Sequence, residues 1–157
     1  MTVEIKGVDE LVDVFDDIEA LLKSPKPMQK IVTDVKELIQ TKTEKGLDYM
    51  GRKFEPYSAA YAKKKGTSRA NLKDTGTMLD AIKTEVLTPQ HGRISVRPAT
   101  YPGKKAKADM LAQIHTTGTG KQPQRDFFNI TKSATEKIVK KHYDDPILKL
   151  AQKARRG

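Results

Sequence analysis

The chain has 157 residues, of which 36% are hydrophobic and 32% charged, with a formal charge of +10 and no cysteine. Its length suits one domain burying roughly 68 to 70% of the unfolded surface, and its composition suits a modest core dressed with charged loops. A disulfide framework and a thiolate metal site are excluded; no apolar run approaches the roughly 20 residues of a membrane span, and the acidic amphipathic start is unlike a signal peptide.

The charge is unevenly placed. Up to Pro25 there are seven acids (Glu4, Asp9, Glu10, Asp13, Asp16, Asp17, Glu19) against Lys6 and Lys23, a local charge of −5 that leaves +15 for the remainder. A basic surface of that size suits contact with nucleic acid or with an acidic protein face. A merely solvated exterior fits the charge equally well.

In chain order, residues 1 to 7 read as a short strand or arm through Val3 and Ile5 that ends at Gly7. Val8, Leu11, Val12, Phe15, Ile18 and Leu22 recur at helical spacing, predicting an amphipathic helix over residues 8 to 23 with its acids on the other face. Ser24-Pro25-Lys26-Pro27 stops it. A second helix runs from about Met28 to Tyr49 on a stripe of Ile31, Val32, Val35, Leu38, Ile39 and the stem of Lys42. The short connection predicts that these two helices pair as a hairpin.

From Gly51 to Lys73 the pattern is a long surface excursion. Ser58 is placed to cap a short helix carrying Tyr61 and Ala62, and Lys63-Lys64-Lys65-Gly66-Thr67-Ser68-Arg69 has no apolar face to bury. Asp74 or Thr75 is placed to cap a further helix with Met78, Leu79 and Ile82 inward. Alternation over residues 82 to 87 and again over Arg93-Ile94-Ser95-Val96-Arg97, with a turn between, predicts a β-hairpin whose Ile94 and Val96 share one face.

After a Pro, Gly and Lys rich loop to Lys107, residues 106 to 115 read as a helix with Met110, Leu111 and Ile114 inward. A flexible loop over 116 to 123 follows, then an apolar anchor of Phe127, Phe128 and Ile130. Ser133-Ala134-Thr135-Glu136 fits a capping box for a last helix that ends at Asp144-Asp145-Pro146. These elements amount to an α+β domain over residues 1–145: a small antiparallel sheet packed with an N-terminal helical hairpin and a C-terminal helix, carrying long cationic loops. Residues 146–157 form a basic C-terminal extension.

The candidate chemistry is sparse. His91, His115 and His142 show no metal-ligand spacing, and a hydrogen-bonded packing role suits His115 better than catalysis. Gly118-x-Gly120-Lys121 lacks the first glycine and the final Ser or Thr of a phosphate loop. Ser58 and Ser68 have no neighbouring base. No catalytic residue, metal or cofactor is assigned, and an enzyme is not the expectation. The strongest physical feature is cationic: Lys63, Lys64, Lys65 and Arg69 in one loop, Lys104, Lys105 and Lys107 in another, and Lys121 in a third, with Tyr61 and Tyr101 close by. Lysines beside aromatics suit phosphates and stacked bases, although no sequence-reading nucleic-acid motif is present.

One set of short motifs has a likeness. Gly51…Phe54-x-Pro56-x-Ser58, Leu72-x-x-Thr75-Gly76-x-Met78, a hairpin, Ala112-x-Ile114-His115-x-x-Gly118 and Pro123-x-Arg125-x-Phe127 follow in an order and spacing that resembles the phage virion morphogenesis (tail completion) family, and related head-tail joining proteins. The resemblance spans about residues 45 to 131. The family often has tryptophan where Phe54 stands, leucine where Tyr57 and Met78 stand, and proline or another residue where Asp126 stands.

The resemblance implies a small α+β structural protein of the virion neck, made in the host cytoplasm. It would assemble with itself as a ring, a hexamer, between the tail tube protein and the head-tail connector or stopper proteins. Phe54, Pro56, Thr75, Gly76, His115, Gly118, Pro123, Arg125 and Phe127 would be fold and loop anchors, with the loops at 63 to 69 and 116 to 124 as interface and possible non-specific contact with DNA in the lumen. The alternative is a sequence-independent basic nucleic-acid-binding protein.

Overall fold

A computed structural model describes residues 8–119 and 122–154, with side chains from Leu11 to Lys153. The strand expected through Val3 and Ile5, Lys121 and the last two arginines lie outside the described residues. The elements are α1 (Val8–Lys23), α2 (Lys26–Glu44), α3 (Ala59–Lys65), α4 (Thr77–Asp80), β1 (Ile82–Thr88), β2 (His91–Val96), α5 (Ala108–Thr117), α6 (Lys132–Val139), a π turn (Lys140–Asp144) and α7 (Asp145–Ala154). The fold is α+β, with a two-stranded antiparallel sheet.

Helix α2 is the spine. Pro27 sits in its first turn, where a missing N–H costs nothing, and Ile31, Val32, Val35 and Ile39 form its buried stripe. The helix is shorter than its periodicity predicts, because Gly46 adopts φ 72° and closes a Schellman motif: its N–H donates to Thr43 O (2.9 Å), and that of Leu47 to Lys42 O (2.9 Å). A Cβ at Gly46 would lie 2.7 Å from Ala70 O, so the absent side chain also admits the buried 70 to 72 segment. Asp48 then ties the returning loop, its Oδ1 accepting from the Met50 and Arg52 N–H groups (2.9 and 2.8 Å) and its Oδ2 from Arg52 Nε (2.7 Å).

The predicted hairpin is present. Ile82 pairs with Val96 and Thr84 with Ile94, a bulge falls between Val86 and Thr88, and Pro89-Gln90 make the turn. The sheet lies on α2, and Gly92 makes that approach possible: a Cβ there would overlap Val32 Cγ1 and come within 3.0 Å of Met28 Sδ.

Several expectations change. The two N-terminal helices are joined tightly, but α1 packs chiefly on α7 rather than pairing with α2, whose single apolar stripe is taken up by the sheet and α6. The cap of α6 is Thr131, whose Oγ1 accepts from Ala134 N–H (3.3 Å), two residues before the predicted box. On α5 the buried positions are Ala108 and Ala112, small enough to let the helix lie against α4 and β2, and this turns Met110 outward to 56% exposure.

The helix does not stop at Pro146. At the end of the π turn the Asp145 N–H reaches back five residues to Lys140 O, and α7 begins with Asp145-Pro146, where proline is tolerated. The π turn also aims three side chains at the body: Lys141 Nζ and His142 Nε2 each lie 2.8 Å from Asp34 Oδ2, and Tyr143 OH donates to Pro89 O (2.6 Å).

Candidate functional site: a tyrosine-lined cationic cleft

The central motifs, separated by up to about seventy residues in sequence, meet around one open cleft of about 930 Å³. One wall is the segment Glu55 to Ser58 with α3; the others come from Leu72, Asp74 and Met78, from Tyr101 and Lys104, from Leu111, Ile114 and His115 of α5, and from the segment Gln122 to Arg125.

The local reasons for each wall are simple. Ser58 caps α3 by accepting from Tyr61 N–H (3.4 Å), and Gly66 ends it at φ 72°. This lays the Tyr61 ring edge-on to Tyr57, with centroids 4.8 Å apart. Lys65 was expected on a loop with nothing to bury; instead its ammonium lies 5.0 Å from the Tyr57 ring centre and donates to Tyr57 OH (3.2 Å), to Asn71 Oδ1 (3.4 Å) and to the Lys73 carbonyl. Across the cleft Lys104 sits 5.9 Å from the Tyr101 ring centre and 3.2 Å from Asp74 Oδ2.

Arg125 locks the walls together. Its backbone N–H donates to His115 O (2.7 Å), and Gln124 Nε2 to Thr116 O (3.0 Å), so the segment caps the open end of α5. Gly118 permits this, since at φ 70° it ends the helix and a Cβ there would come within 2.8 Å of Gln124. The Arg125 side chain, only 3% exposed, donates from Nε to Glu55 O (3.0 Å) and from Nη2 to Pro56 O (3.2 Å), and lies 5.5 Å from the Tyr57 ring centre. No carboxylate pairs with it among the described residues; carbonyl dipoles and a ring face hold the charge. Burial draws its pKa below the ordinary guanidinium value.

His115 occupies the same corner. Burial, and then the Arg125 charge, pull its pKa down to about 4, and its Nδ1 is buried without a partner. It is therefore a neutral wall of the cleft at pH 7. Burial raises the Tyr101 phenol, helped by Asp74. For Asp48, just behind the cleft, burial pushes upward, but the bonds from Arg52 and Met50 together outweigh it and the carboxyl ends below its usual value.

The predicted anchors sort by place. Pro56, His115, Pro123 and Arg125 line the cleft with Lys65 and Lys104. Phe54 and Phe127 are core residues, 7% and 1% exposed. Gly76 adopts φ 87° at the start of α4, a conformation costly for any other residue, and Thr75 before it is exposed. Lys63, Lys64, Lys105 and Lys107 are exposed outside the lining, Arg69 is exposed beside Gly46, and Lys121 lies outside the described residues.

Sequence reasoning missed Asp48 and Gln124: the Asp48 Oδ1 and the Gln124 amide find backbone groups that only the folded loops present, and the Asp48 Oδ2 takes the Arg52 side chain. It set Tyr61 and Tyr101 beside the lysines but missed Tyr57 and the meeting of the three rings in one cleft.

Chemically the cleft offers aromatic faces, ammonium groups and apolar walls. Ser58 is committed to a helix cap, Asp74 to a lysine, and His115 is neutral; among the described residues no group of three or more His, Asp or Glu is placed to hold a metal. Nor, among the described residues, is any helix long and apolar enough to cross a membrane. No family model, no curated protein and no solved structure matches this chain.

Proposed function

We propose that this chain is a structural protein of the neck of a tailed phage, a tail completion or terminator protein that forms a ring joining the tail tube to the capsid connector or stopper during assembly. The observation that carries the reading is convergence: the motif residues Pro56, Met78, Ile114, His115, Pro123 and Arg125, scattered through the sequence, line one cleft. The charged member of the set, Arg125, is held by backbone carbonyls and a ring face. Such a site docks a surface. The likeness to the family rests on the order and spacing of short motifs, and the hexameric ring comes from that likeness. A ring of such subunits carries several tens of formal positive charges, enough to act on DNA threading its lumen.

The test is the mass of the purified protein, alone and with a tail tube protein, at low and moderate salt. A closed oligomer, or one formed only on the tube, is the expected result. A monomer that ignores the tube and binds DNA with a steep salt dependence would overturn the neck reading in favour of a sequence-independent nucleic-acid binder.

A further inference from the structure

Helix α1 is thinly covered, with no buried residue among its described side chains. It leans on α7, and the Leu22 carbonyl accepts from Gln90 Nε2 (2.7 Å) at the hairpin turn. Val14, Ile18 and Leu21 are half-buried. The remaining apolar positions are open: Leu11 is 53%, Val12 51% and Phe15 66% exposed, and Leu148 of α7 is 54% exposed. Leu11, Phe15 and Leu22 recur at i, i+4 and i+11, which makes them one stripe about 16 Å long. Asp13, Asp16, Asp17 and Glu19 are all exposed, and only Glu19 has an ion pair among the described residues, with Lys23. At about 100° per residue Glu19 flanks the stripe and Asp16 lies beside Val12 at its edge, while Asp13 and Asp17 lie on the opposite face. The exposed apolar face is thus bordered on one side by negative charge.

The cleft is its chemical complement. Its walls include tyrosine, leucine, isoleucine and methionine side chains; Lys65 and Lys104 stand at its aromatic faces, and Arg125 is buried in its wall. Of the two acidic residues in the lining, Glu55 and Asp74, the latter is paired with Lys104. Nearby, Lys63, Lys64 and Lys105 are exposed and have no acidic partner among the described residues. No residue of α1 lines the cleft of its own chain.

We propose that the Leu11–Phe15–Leu22 stripe of α1 in one copy seats in the tyrosine-lined cleft of a second copy, with Asp16 and Glu19 at its edge meeting the lysines around it. The two patches differ, so the contact is head-to-tail, and such a contact repeats from copy to copy until it closes into a ring or extends as a filament. Edge-to-face contacts between Phe15 and the Tyr57–Tyr61 pair give the junction an aromatic anchor, and the opposed charges set register and speed of encounter more than affinity. This inference rests on the self-assembly part of the proposed function and is independent of where the ring sits in a virion.

The experiment uses the full chain, with light-scattering mass across protein concentration and salt. One variant carries Leu11→Ser and Phe15→Ser; the other carries Lys63→Glu, Lys64→Glu and Lys105→Glu. All five positions are exposed, and unchanged melting curves check that both variants fold. The expected result is a wild type that associates and weakens as salt rises, two variants that each lose at least about tenfold in self-affinity, and an equimolar mixture that forms discrete dimers, because one junction of each pair is intact.

Any of four results overturns the proposal. They are a wild type that stays monomeric at low salt, either variant assembling like wild type, a mixture that fails to re-associate, or a cleft variant whose only loss is DNA binding. A monomeric wild type that still binds the tail tube would sink this junction and leave the neck reading standing. Assembly unaffected by both variants would relocate the junction without touching that reading.

Discussion

Replacing Arg125 by methionine tests whether the guanidinium is what holds the cleft together. The substitution keeps much of the buried stem and removes the donors at Nε and Nη2, leaving the carbonyls of Glu55 and Pro56 without their 3.0 and 3.2 Å partners. Hydrogen bonds to a charged group contribute about 1.5–3 kcal/mol each. Glu55 and Pro56 belong to an exposed segment, so water can replace part of this; removing the charge also relieves the desolvation of a buried cation.

The balance is a loss of about 2–4 kcal/mol. For a domain of this size that lowers the melting temperature by roughly 5–15 °C. Urea unfolding followed by far-ultraviolet circular dichroism measures it, and an unchanged slope keeps the comparison two-state. Arg125→Lys retains the charge but not the fork, and should recover little. A methionine variant within about 0.5 kcal/mol of wild type would refute the reasoning and return Arg125 to a purely interfacial role. A side chain 3% exposed and bonded to a distant segment makes the fold itself the first casualty of its loss.

His115 has a folded pKa of about 4 against an ordinary 6.5, so the unfolded chain binds the extra proton and stability falls as pH drops from 6.5 toward 4, by at most about 3 kcal/mol. His115→Gln should flatten the stability profile between pH 6.5 and 5, above the range of most carboxylates, and an unchanged slope there would contradict the assignment. Gly92→Ala drives a methyl into Val32 and Met28 where the hairpin crosses α2, and should cost about 1–3 kcal/mol by overpacking; a neutral effect in thermal melts would mean that the sheet does not sit there. Tyr143→Phe removes the bond to Pro89 O and should cost about 0.5–1.5 kcal/mol, with faster amide exchange at the hairpin turn and in α7; unchanged exchange at both places would argue against that clasp.

Local pattern carried much of the fold. Alternation over residues 82 to 97 placed the hairpin and its faces, and helical spacing placed α1 and the buried stripe of α2. Ser58 as a cap followed from hydroxyl chemistry next to a helix-forming run. The misplacements share a cause. Met110 was expected inward because it is large and apolar, yet close approach to α4 and β2 selected Ala108 and Ala112 for the buried face. Pro146 was expected to stop a helix, and a π turn just before it supplies the bonding shift that carries the helix on.

For the site, the sequence by itself determined the ingredients: motif residues in a set order, lysines interleaved with tyrosines, an acidic first helix and a basic remainder. It did so because periodicity, capping and charge are properties of neighbours along the chain. Only the tertiary structure decided that these motifs share a cleft, that Arg125 is buried against Glu55 and Pro56, and that α1 turns to α7 and leaves Phe15 uncovered. Those outcomes depend on which of several apolar faces wins each partner and on carbonyls brought close by loops, and neither is written in any local window of sequence.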